Sequence, residues 1–486
     1  FPNKGGRRHS GWIMPAFGTR TSTGTFFQRL GYYYAPNDYV DLKTLIDFYD
    51  KLGIVVNSRF NYVKRYKYSG SISTRVNQTL VGKDIVDLFD NYSRQFNLIW
   101  NHSQKFDPSQ NLSINGHYVS NSDFYQSQWN DKENQLTQKI QSSLNYSKRW
   151  SEWKNSLTLN MSDSYDLLSK VRKLEDNYSP NYFLVKRMQS LPNMSFSHSK
   201  SKLNFGGLNI PLIKDIYWDY SSNLTNSVRR GWKFIETDSL KWKDSTNVRT
   251  GVRHNMSLST SNKFFGWLSL SPRISFKENW INQYTQLNDN YEQEYVNAFK
   301  RRLIWNTSVS ITTKLYGLFP ISIGKLDALR HVLTPSLSFS WSPDFTDENS
   351  PYIQTFTDTS ITHDYFYGTL AGATPSSESK SVGIGFSNMF QAKIKNEEDY
   401  KKVDLVSWSL NTNYNFTADS LKFAPINSSI SSTLPNGLRL SLTMSHDLYE
   451  INEQGVRYEK FRKTPRLKSV NGGTTLKFAG KQFDFT

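Results

Sequence analysis

Few residues in this 486-residue chain are spaced for catalysis. The eight histidines are scattered, and none forms the His-x-x-x-His or Glu-x-x-His pair that commonly holds zinc. Cysteine is absent, which excludes thiol nucleophiles and cysteine zinc sites. No Gly-x-Ser-x-Gly elbow and no phosphate-binding P-loop occurs. The sequence therefore predicts no enzyme, no catalytic residue, no metal site and no cofactor.

Basic side chains remain as candidates for a chemical role. Lys and Arg number 59 against 42 Asp and Glu, which gives a formal net charge of +17. Two predicted strands carry basic residues on their polar faces: Arg59, Arg65 and Lys67 on one, Arg273 and Lys277 on the other. Because Arg grips phosphate with two parallel hydrogen bonds, these residues are candidate ligands for a phosphorylated lipid or its sugar. Alternatively, they are solvated charges in a polar lumen or loop and bind nothing.

The positive charge does not by itself indicate nucleic acid. Basic clusters occur at Arg229–Arg230, Lys300–Arg302 and Arg457–Lys468. No predicted helix carries them, and no RNA-binding motif accompanies the aromatic residues. We therefore expect no nucleic-acid partner and consider an anionic lipid the more natural one.

The elements that must position these residues are strands with two different faces. Apolar residues alternate with Ser, Asn, Thr, Lys or Arg in Leu268–Phe276, Leu333–Trp341, Val406–Phe416 and Leu438–Met444. Successive side chains of a strand point to opposite faces, so each segment has one apolar and one polar face. The segments are about 9–13 residues long, near the about 9–11 that span a bilayer and above the about 5–6 of ordinary strands.

A closed barrel is the fold that accommodates many such strands. Half of their side chains are polar, so they cannot share one dry core, whereas a barrel presents apolar residues to lipid and polar residues to a wet lumen. We predict an all-β fold: a large antiparallel transmembrane β-barrel of the outer-membrane type, with more than about 18 strands. Residues 1–486 are predicted to form this one domain. A soluble β-sandwich is the alternative, although its strands would be shorter.

Predicted connections come in two sizes, as the turns and loops of outer-membrane barrels do. The short ones have the sequences of tight turns: Ala35–Asp38, Lys51–Gly53, Asp107–Ser109 and Pro435–Gly437. The long ones are polar and irregular: Ser122–Gln135, Tyr165–Tyr182, Gly231–Asn247, Gln283–Ala298, Pro343–Ser379 and Tyr449–Pro465.

Two segments resemble the LptD family of outer-membrane proteins that assemble lipopolysaccharide. The first is His9–Gly70, and the residues that carry its likeness to the start of that barrel are Gly11, Pro15, Gly18, Tyr32, Tyr33, Ala35, Pro36, Asn37 and Asp38. The second is His331–Asp344, which is similar to a mid-barrel strand of the family with its proline, Pro335, and its final Trp-Ser-Pro-Asp.

The resemblance implies a translocon in the outer membrane of a Gram-negative bacterium. Such proteins take lipopolysaccharide from a periplasmic LptA-like bridge protein and pass its sugar through the lumen. The lipid leaves through a lateral gate between the first and last strands, and an LptE-like lipoprotein plugs the barrel. A full-length barrel of the family would have about 26 strands. The alternative that the strand pattern alone leaves open is a porin-like or TonB-dependent transporter.

The resemblance also locates the gate in this sequence. Proline cannot donate to a strand ladder, and a glycine weakens a strand interior, so both lower the cost of opening a seam. Pro15 lies in the first candidate strand, and Gly31 occupies the position at which the family usually has a second proline. The predicted gate residues are Gly11, Trp12, Ile13, Met14, Pro15 and Gly31.

The sequence departs from the family pattern at both ends. The periplasmic jellyroll domain of the family and its cysteines are not in these residues. No clear final strand precedes Phe485–Thr486, so we expect the last strands of the barrel to lie outside this sequence.

Overall fold

Strands account for most of the described chain. The computed structural model describes residues 8–21, 23–80, 92–125, 136–169, 182–203, 215–235, 242–324, 326–347, 349–356, 360–395, 400–433 and 438–476. Within these residues, no helix is long and apolar enough to cross a membrane. The strands are β1 Gly11–Ile13, β2 Ala16–Arg20, β3 Gly24–Tyr34, β4 Val40–Tyr49, β5 Gly53–Lys64, β6 Tyr68–Leu80, β7 Tyr92–Asp107, β8 Gln110–Val119, β9 Lys139–Trp150, β10 Asn155–Asp166, β11 Phe183–Lys202, β12 Ile216–Phe234, β13 Trp242–Thr260, β14 Asn262–Phe264, β15 Leu268–Ile281, β16 Tyr284–Leu287, β17 Gln293–Val296, β18 Lys300–Thr312, β19 Leu315–Ile323, β20 Leu326–Ser342, β21 Ile353–Thr355, β22 Thr362–Asp364, β23 Ser379–Lys395, β24 Tyr400–Asn415, β25 Ile426–Thr433, β26 Leu438–Ile451 and β27 Arg457–Leu476.

One 23-stranded antiparallel sheet forms the wall of the molecule. Each wall strand pairs with the next one along the chain, from β3 with β4 to β26 with β27. Three wall strands are interrupted: β1 and β2 both pair with β3, β13 and β14 with β15, and β18 and β19 with β20. The order and direction of the strands confirm the predicted all-β barrel fold.

The register keeps polar residues beside polar residues across neighbouring strands. Ser275 of β15 lies between Ser257 of β13 and Asn306 of β18. The adjacent Phe276 lies between Met256 and Trp305. A slip of one residue would exchange these faces, so the two-faced sequence pattern fixes the pairing. The polar face is the lumenal face of the barrel, and the apolar face is its outer face.

The connections at one end of the barrel, the short-turn end, are mostly short, and most of the long ones lie at the other end, the long-loop end. At the short-turn end, hairpins close through residues 65–67, 108–109 and 151–154. At the long-loop end, the connections include residues 120–138, 167–182, 282–299 and 343–378. Residues 50–52 are a short exception at the long-loop end. The predicted short turn at Pro435–Gly437 lies outside the described residues.

Two predicted loops are largely strand, and those predictions were wrong. β26 continues to Ile451 and β27 begins at Arg457, within the predicted loop Tyr449–Pro465. β12 likewise extends to Phe234, and β13 begins at Trp242. Strands that extend past the bilayer need no apolar face, so they lack the alternation that marks a membrane strand.

Buried apolar clusters occur at the long-loop end. One contains Val119, Phe124, Tyr125, Ile140 and Leu167. The other contains Ile281 of β15 with Phe366 and Ala371 from the connection 343–378, and Tyr284, Tyr352 and Tyr365 pack against it. Residues 360–378, which we call the cap, are thereby held against the strand ends.

Candidate functional site

The first wall strand, which consists of β1 and β2, is broken at Pro15, the proline that the sequence analysis places in the gate. β1 pairs with β3 at Gly11–Ile13, and β2 pairs with β3 at Ala16–Arg20. Met14 and Pro15 lie between the two ladders. Ile13 is opposite Gly31 and Ala16 is opposite Gln28, so the register is the same on both sides of the break. The break therefore removes hydrogen bonds without shifting the strand.

A second irregularity lies opposite Pro15, at Arg29 of β3. Arg29 has a φ of 63°, which a residue with a Cβ rarely adopts. The pairing of β3 with β4 also shifts register between Phe27 and Leu30. The Arg29 amide donates to Asp47 Oδ1 at 2.6 Å instead of joining the ladder. The weak point of the first wall strand thus extends into its neighbour.

Gly31 does not act as the predicted second point of weakness in the ladder. It pairs with both Ile13 and Leu45 in a continuous register. A Cβ built on Gly31 would lie 2.2 Å from the Thr44 carbonyl oxygen and 2.6 Å from Leu45 Cδ2. Glycine is therefore required because β3 and β4 approach closely there, and the ladder is interrupted at Arg29.

Large apolar side chains on the outer face of the first wall strand are strongly exposed. Trp12, Met14 and Phe17 are 73%, 82% and 77% exposed. Trp12 contacts Tyr32 edge-on, with ring centroids 5.1 Å apart. Large apolar side chains exposed on the outside of a barrel face the hydrocarbon of a bilayer. The first wall strand thus offers an apolar surface on which acyl chains can lie.

β27 is the last wall strand of the described residues, and we call the line between it and the first wall strand the seam. β27 pairs with β26, and in the described residues no ladder joins it to β1 or β2. Its attachment to β26 is itself irregular, with register shifts around His446, Tyr449 and Ile451. Asp447, which is 2% exposed, lies 3.5 Å from Arg466 Nη2. The basic cluster Arg457–Lys468 therefore lies on the strand that borders the seam.

Arg59 belongs to a lumenal basic group near this seam. Its register partner on β4 is Lys43, and Arg75 lies one row away, opposite Asn57. Lys43, Arg59 and Arg75 line one cavity of about 370 Å³. The sequence prediction missed Lys43 and Arg75. The sequence does contain the information to find them. Once the hairpin turns are placed at 50–52 and 65–67, the residues of the adjoining strands pair in a fixed register, which brings Lys43 and Arg75 close to Arg59.

Arg65 and Lys67 do not share the lumenal face with Arg59, and that prediction was wrong. Both lie in the turn between β5 and β6, where the chain reverses around Tyr66 with a φ of 65°. The Arg65 guanidinium lies 4.8 Å from the centre of the Tyr66 ring. The two residues are exposed at the short-turn end of the barrel.

Arg273 and Lys277 lie together on the lumenal face of β15. Both line a cavity of about 460 Å³ with Asp219, Asn255 and Ser257. Arg273 Nη2 donates to Ser257 Oγ at 2.8 Å and lies 3.7 Å from Asp219 Oδ1. The cavity combines cations, a carboxylate and hydroxyl groups, which suits a polar, partly anionic ligand such as a phosphorylated sugar.

The described residues contain no group of three or more His, Asp or Glu side chains that could hold a metal ion. What they offer is a two-faced wall with a seam and basic cavities on its inner face. Such an arrangement can conduct or move a molecule that is part apolar and part anionic.

Comparison with known proteins decides between the interpretations of this arrangement. The family model described as LptD protein matches residues 1–449. The chain belongs to the LptD family. It is accordingly a β-barrel of the Gram-negative outer membrane that takes part in lipopolysaccharide transport. The LptD family consists of transport proteins and not of enzymes.

Solved structures with distant similarity to this LptD-family chain include transporters. The FrpB iron transporter of Neisseria meningitidis, F5-1 variant apoprotein, is 10% identical over 90% of this chain and 73% of its own, with a TM-score of 0.31. The YddB outer-membrane transporter of Escherichia coli is 10% identical over 93% and 75%, with a TM-score of 0.23. No curated protein sequence matches the chain. At such scores these similarities support no conclusion about the function of this chain.

Proposed function

We propose that the chain inserts lipopolysaccharide into the outer leaflet through a lateral gate between the first wall strand and β27. The lipid leaves sideways through the seam while its sugar passes through the lumen. The observation that carries this proposal is that no ladder joins β27 to β1 or β2 in the described residues.

The cost of opening is lower at this seam than between β12 and β13. β12 and β13 pair without interruption from Ile216–Thr260 to Phe234–Trp242. Parting them would break many hydrogen bonds, each with a net contribution of about 0.5–1.5 kcal/mol in water and without a replacement partner in lipid. At the seam, the ladder between the first wall strand and β3 is already broken at Pro15. In the described residues, β27 pairs with β26 alone.

The lumenal basic residues support a route for the anionic sugar part. Lys43 lies on β4 and Arg59 on β5, two and three strands from the first wall strand, and Arg75 follows on β6. Arg273 and Lys277 line a second lumenal cavity. Several weak phosphate sites along a pore would let an anionic ligand move between them, because tight binding at one site would prevent release.

Partners and the domain arrangement follow from the same proposal. Residues 1–486 form the barrel domain, and the periplasmic jellyroll domain of the family receives the lipid before it. An LptE-like lipoprotein plugs the lumen, and an LptA-like bridge protein delivers lipopolysaccharide from the short-turn side. Co-purification from outer membranes tests this directly: stoichiometric lipoprotein and lipopolysaccharide are expected, whereas a solitary barrel with open-channel conductance would indicate a porin-like transporter.

A disulfide across the seam tests the gate. The chain has no cysteine, so an introduced pair is the only one present. We would place one cysteine at Met14 and scan the other along β27 from Thr464 to Leu476. The matched control joins Leu224 and Val252, which are register partners in the continuous wall.

The two disulfides are expected to behave differently. A verified crosslink at the seam should stop new lipopolysaccharide from reaching the cell surface, and reduction should restore delivery. The control crosslink should leave delivery unchanged. Normal delivery through a fully crosslinked seam would contradict the lateral gate.

A further inference from the structure

A small cavity with both polar and apolar lining residues lies between the wall and the cap at the long-loop end. Its volume is about 110 Å³. Lumenal side chains of three neighbouring strands and two cap residues surround it. The residues that matter here are Asn223, Thr225, Arg253, Asn279, Leu370 and Ala371.

Buried hydrogen-bond donors beside this cavity lack acceptors. Arg302 lies opposite Asn279 in the register, and the two side chains are 1% and 2% exposed. In the described part of the chain, Arg302 Nε and Asn279 Nδ2 have no hydrogen-bond partner. Asn279 Oδ1 does accept a hydrogen bond from Arg253 Nε at 3.4 Å. An unmet buried donor is costly, so the site favours a ligand that brings acceptor oxygens.

Arg253, which lines the cavity, and two neighbouring arginines, Arg302 and Arg249, are held by backbone carbonyls of the cap. Arg302 donates to Gly372 O at 3.0 Å, to Ala371 O at 3.2 Å and to Thr374 Oγ1 at 2.7 Å. Arg253 donates to Leu370 O at 3.4 Å and Arg249 to Gly368 O at 3.5 Å. The longer of these are weak hydrogen bonds.

These arginines donate directly to neutral oxygens, and the nearest cap carboxylate, Asp364, reaches Arg302 only through the Thr374 hydroxyl. Direct contact with an anionic oxygen would bind them more strongly. Among the described residues, no carboxylate oxygen lies within ion-pair distance of Arg253 or Arg302; nearby pairs are Arg273 with Asp219 and Arg301 with Glu278. A charged acceptor makes a hydrogen bond roughly twice as strong as a neutral one. An anion that reaches the cavity should therefore displace the cap carbonyls.

We infer that the cavity lined by Arg253 and Asn279 binds one phosphate or carboxylate group of a saccharide, and that this binding releases the cap. The site would lie where the sugar part of the cargo leaves the lumen, so in this respect it rests on the proposed function. The anionic group takes over the donors of Arg253, Asn279 and Arg302. The cap contacts at Leu370–Gly372 are lost, and the long-loop end opens only when cargo is present.

Thiol accessibility of the cap tests this inference. Ala371 is 7% exposed, so an Ala371→Cys variant of this cysteine-free chain places one buried thiol in the cap. The purified full chain in detergent would be treated with a maleimide in inorganic phosphate, and in chloride at equal ionic strength. Phosphate should accelerate labelling about tenfold, the effect of one charged hydrogen bond. Equal labelling in the two salts would overturn the inference.

Two variants and a neighbouring control locate the effect. Arg302→Gln removes the buried guanidinium, and Asn279→Asp keeps the side-chain shape but places a negative charge in the cavity. Both should abolish the phosphate response, as measured in folded protein identified by circular dichroism. Arg301→Gln removes a guanidinium one residue away, which is paired with Glu278 at 3.0 Å, and should keep the response. A response that survives Asn279→Asp would contradict the site even if Arg302→Gln fails to fold.

Additional arms separate the possible sources of the anionic group. Lipopolysaccharide and its dephosphorylated form would be compared with inorganic phosphate at matched phosphate concentration. A response to intact lipopolysaccharide alone would overturn a simple phosphate site, whereas a response to both phosphate sources supports it. Because inorganic phosphate needs no lateral gate, its result can fail independently of the disulfide experiment.

Discussion

The first wall strand and the wall formed by β12 and β13 show how differently one barrel can be held together. β12 and β13 pair over their whole lengths without a register shift. The first wall strand pairs in two short ladders interrupted at Met14 and Pro15, and its neighbour β3 is irregular at Arg29. On its other side no ladder is present in the described residues.

The seam can therefore open locally while the rest of the barrel wall remains stable. A continuous ladder makes the far wall a rigid support, since its strands separate only if many hydrogen bonds break together. The seam has its irregularities concentrated in a few residues.

The largest expected effect comes from filling the space at Gly31. Gly31→Val should destabilise the folded barrel by about 1–3 kcal/mol or more, because the new side chain overlaps Thr44 and Leu45. Gly11→Val is the control, since a Cβ on Gly11 has no atom within 4 Å. Denaturant unfolding of both variants measures the difference. Equal stability would show that β3 and β4 do not approach as closely as described.

Next in size is the attachment of β27 to β26. Asp447→Asn should weaken it by about 1–2 kcal/mol, because Arg457 and Arg466 then lose their buried carboxylate partner. Increased entry of large antibiotics would report a loosened seam. Glu450→Gln is the control: its exposed ion pair with Lys460 should matter less. Identical antibiotic sensitivity of the two variants would argue against Asp447 as the anchor.

A smaller effect is expected from restoring a backbone donor in the first wall strand. Pro15→Ala should make the seam harder to open and slow surface delivery of lipopolysaccharide about two- to tenfold, the effect of one added hydrogen bond. Pro335→Ala makes the same change in β20, which is paired on both sides, and should leave delivery unchanged. Faster delivery in Pro15→Ala would contradict the role of the proline.

The smallest expected effect is a dependence of cap opening on pH. Burial lowers the pKa of His363 below its ordinary value of 6.5, an effect that the nearby Asp364 charge and a hydrogen bond donated by His363 to Thr285 partly oppose. The closed cap thus favours neutral His363; its stability is complete above pH 6.5 and declines as the pH falls through the lowered pKa. Thiol labelling of Ala371→Cys, relative to the same protein with His363→Gln at each pH, should rise up to a few-fold near pH 5. A constant ratio would exclude this contribution.

The fold could be predicted because strand alternation is a local property. The alternating segments Leu268–Phe276 and Leu438–Met444 lie within β15 and β26. The extension of β27 could not be predicted in the same way. Its charged residues do not alternate, and partners such as Glu450 and Asp447 on β26 align it.

The candidate site could be predicted only in part, for a related reason. Pro15 marks its own ladder break, since a missing amide hydrogen is visible in any sequence. The irregularity at Arg29 depends on a pairing with β4 that no local pattern reveals. Contacts between Arg302 and the cap span about seventy residues of sequence, so only the folded chain brings them together.

Distances across the seam, measured in the cysteine-free protein with paired spin labels, would test most directly whether the barrel opens there. One pair at Ile46 and Leu442 spans the seam from β4 to β26. A second pair at Leu159 and Val252 spans strands β10 to β13, each of which is paired with the next. With lipopolysaccharide, the seam distance should broaden and lengthen by about one strand spacing, about 5 Å, while the wall distance stays fixed. An unchanged seam distance, or equal lengthening of both, would contradict a gate between the first wall strand and β27.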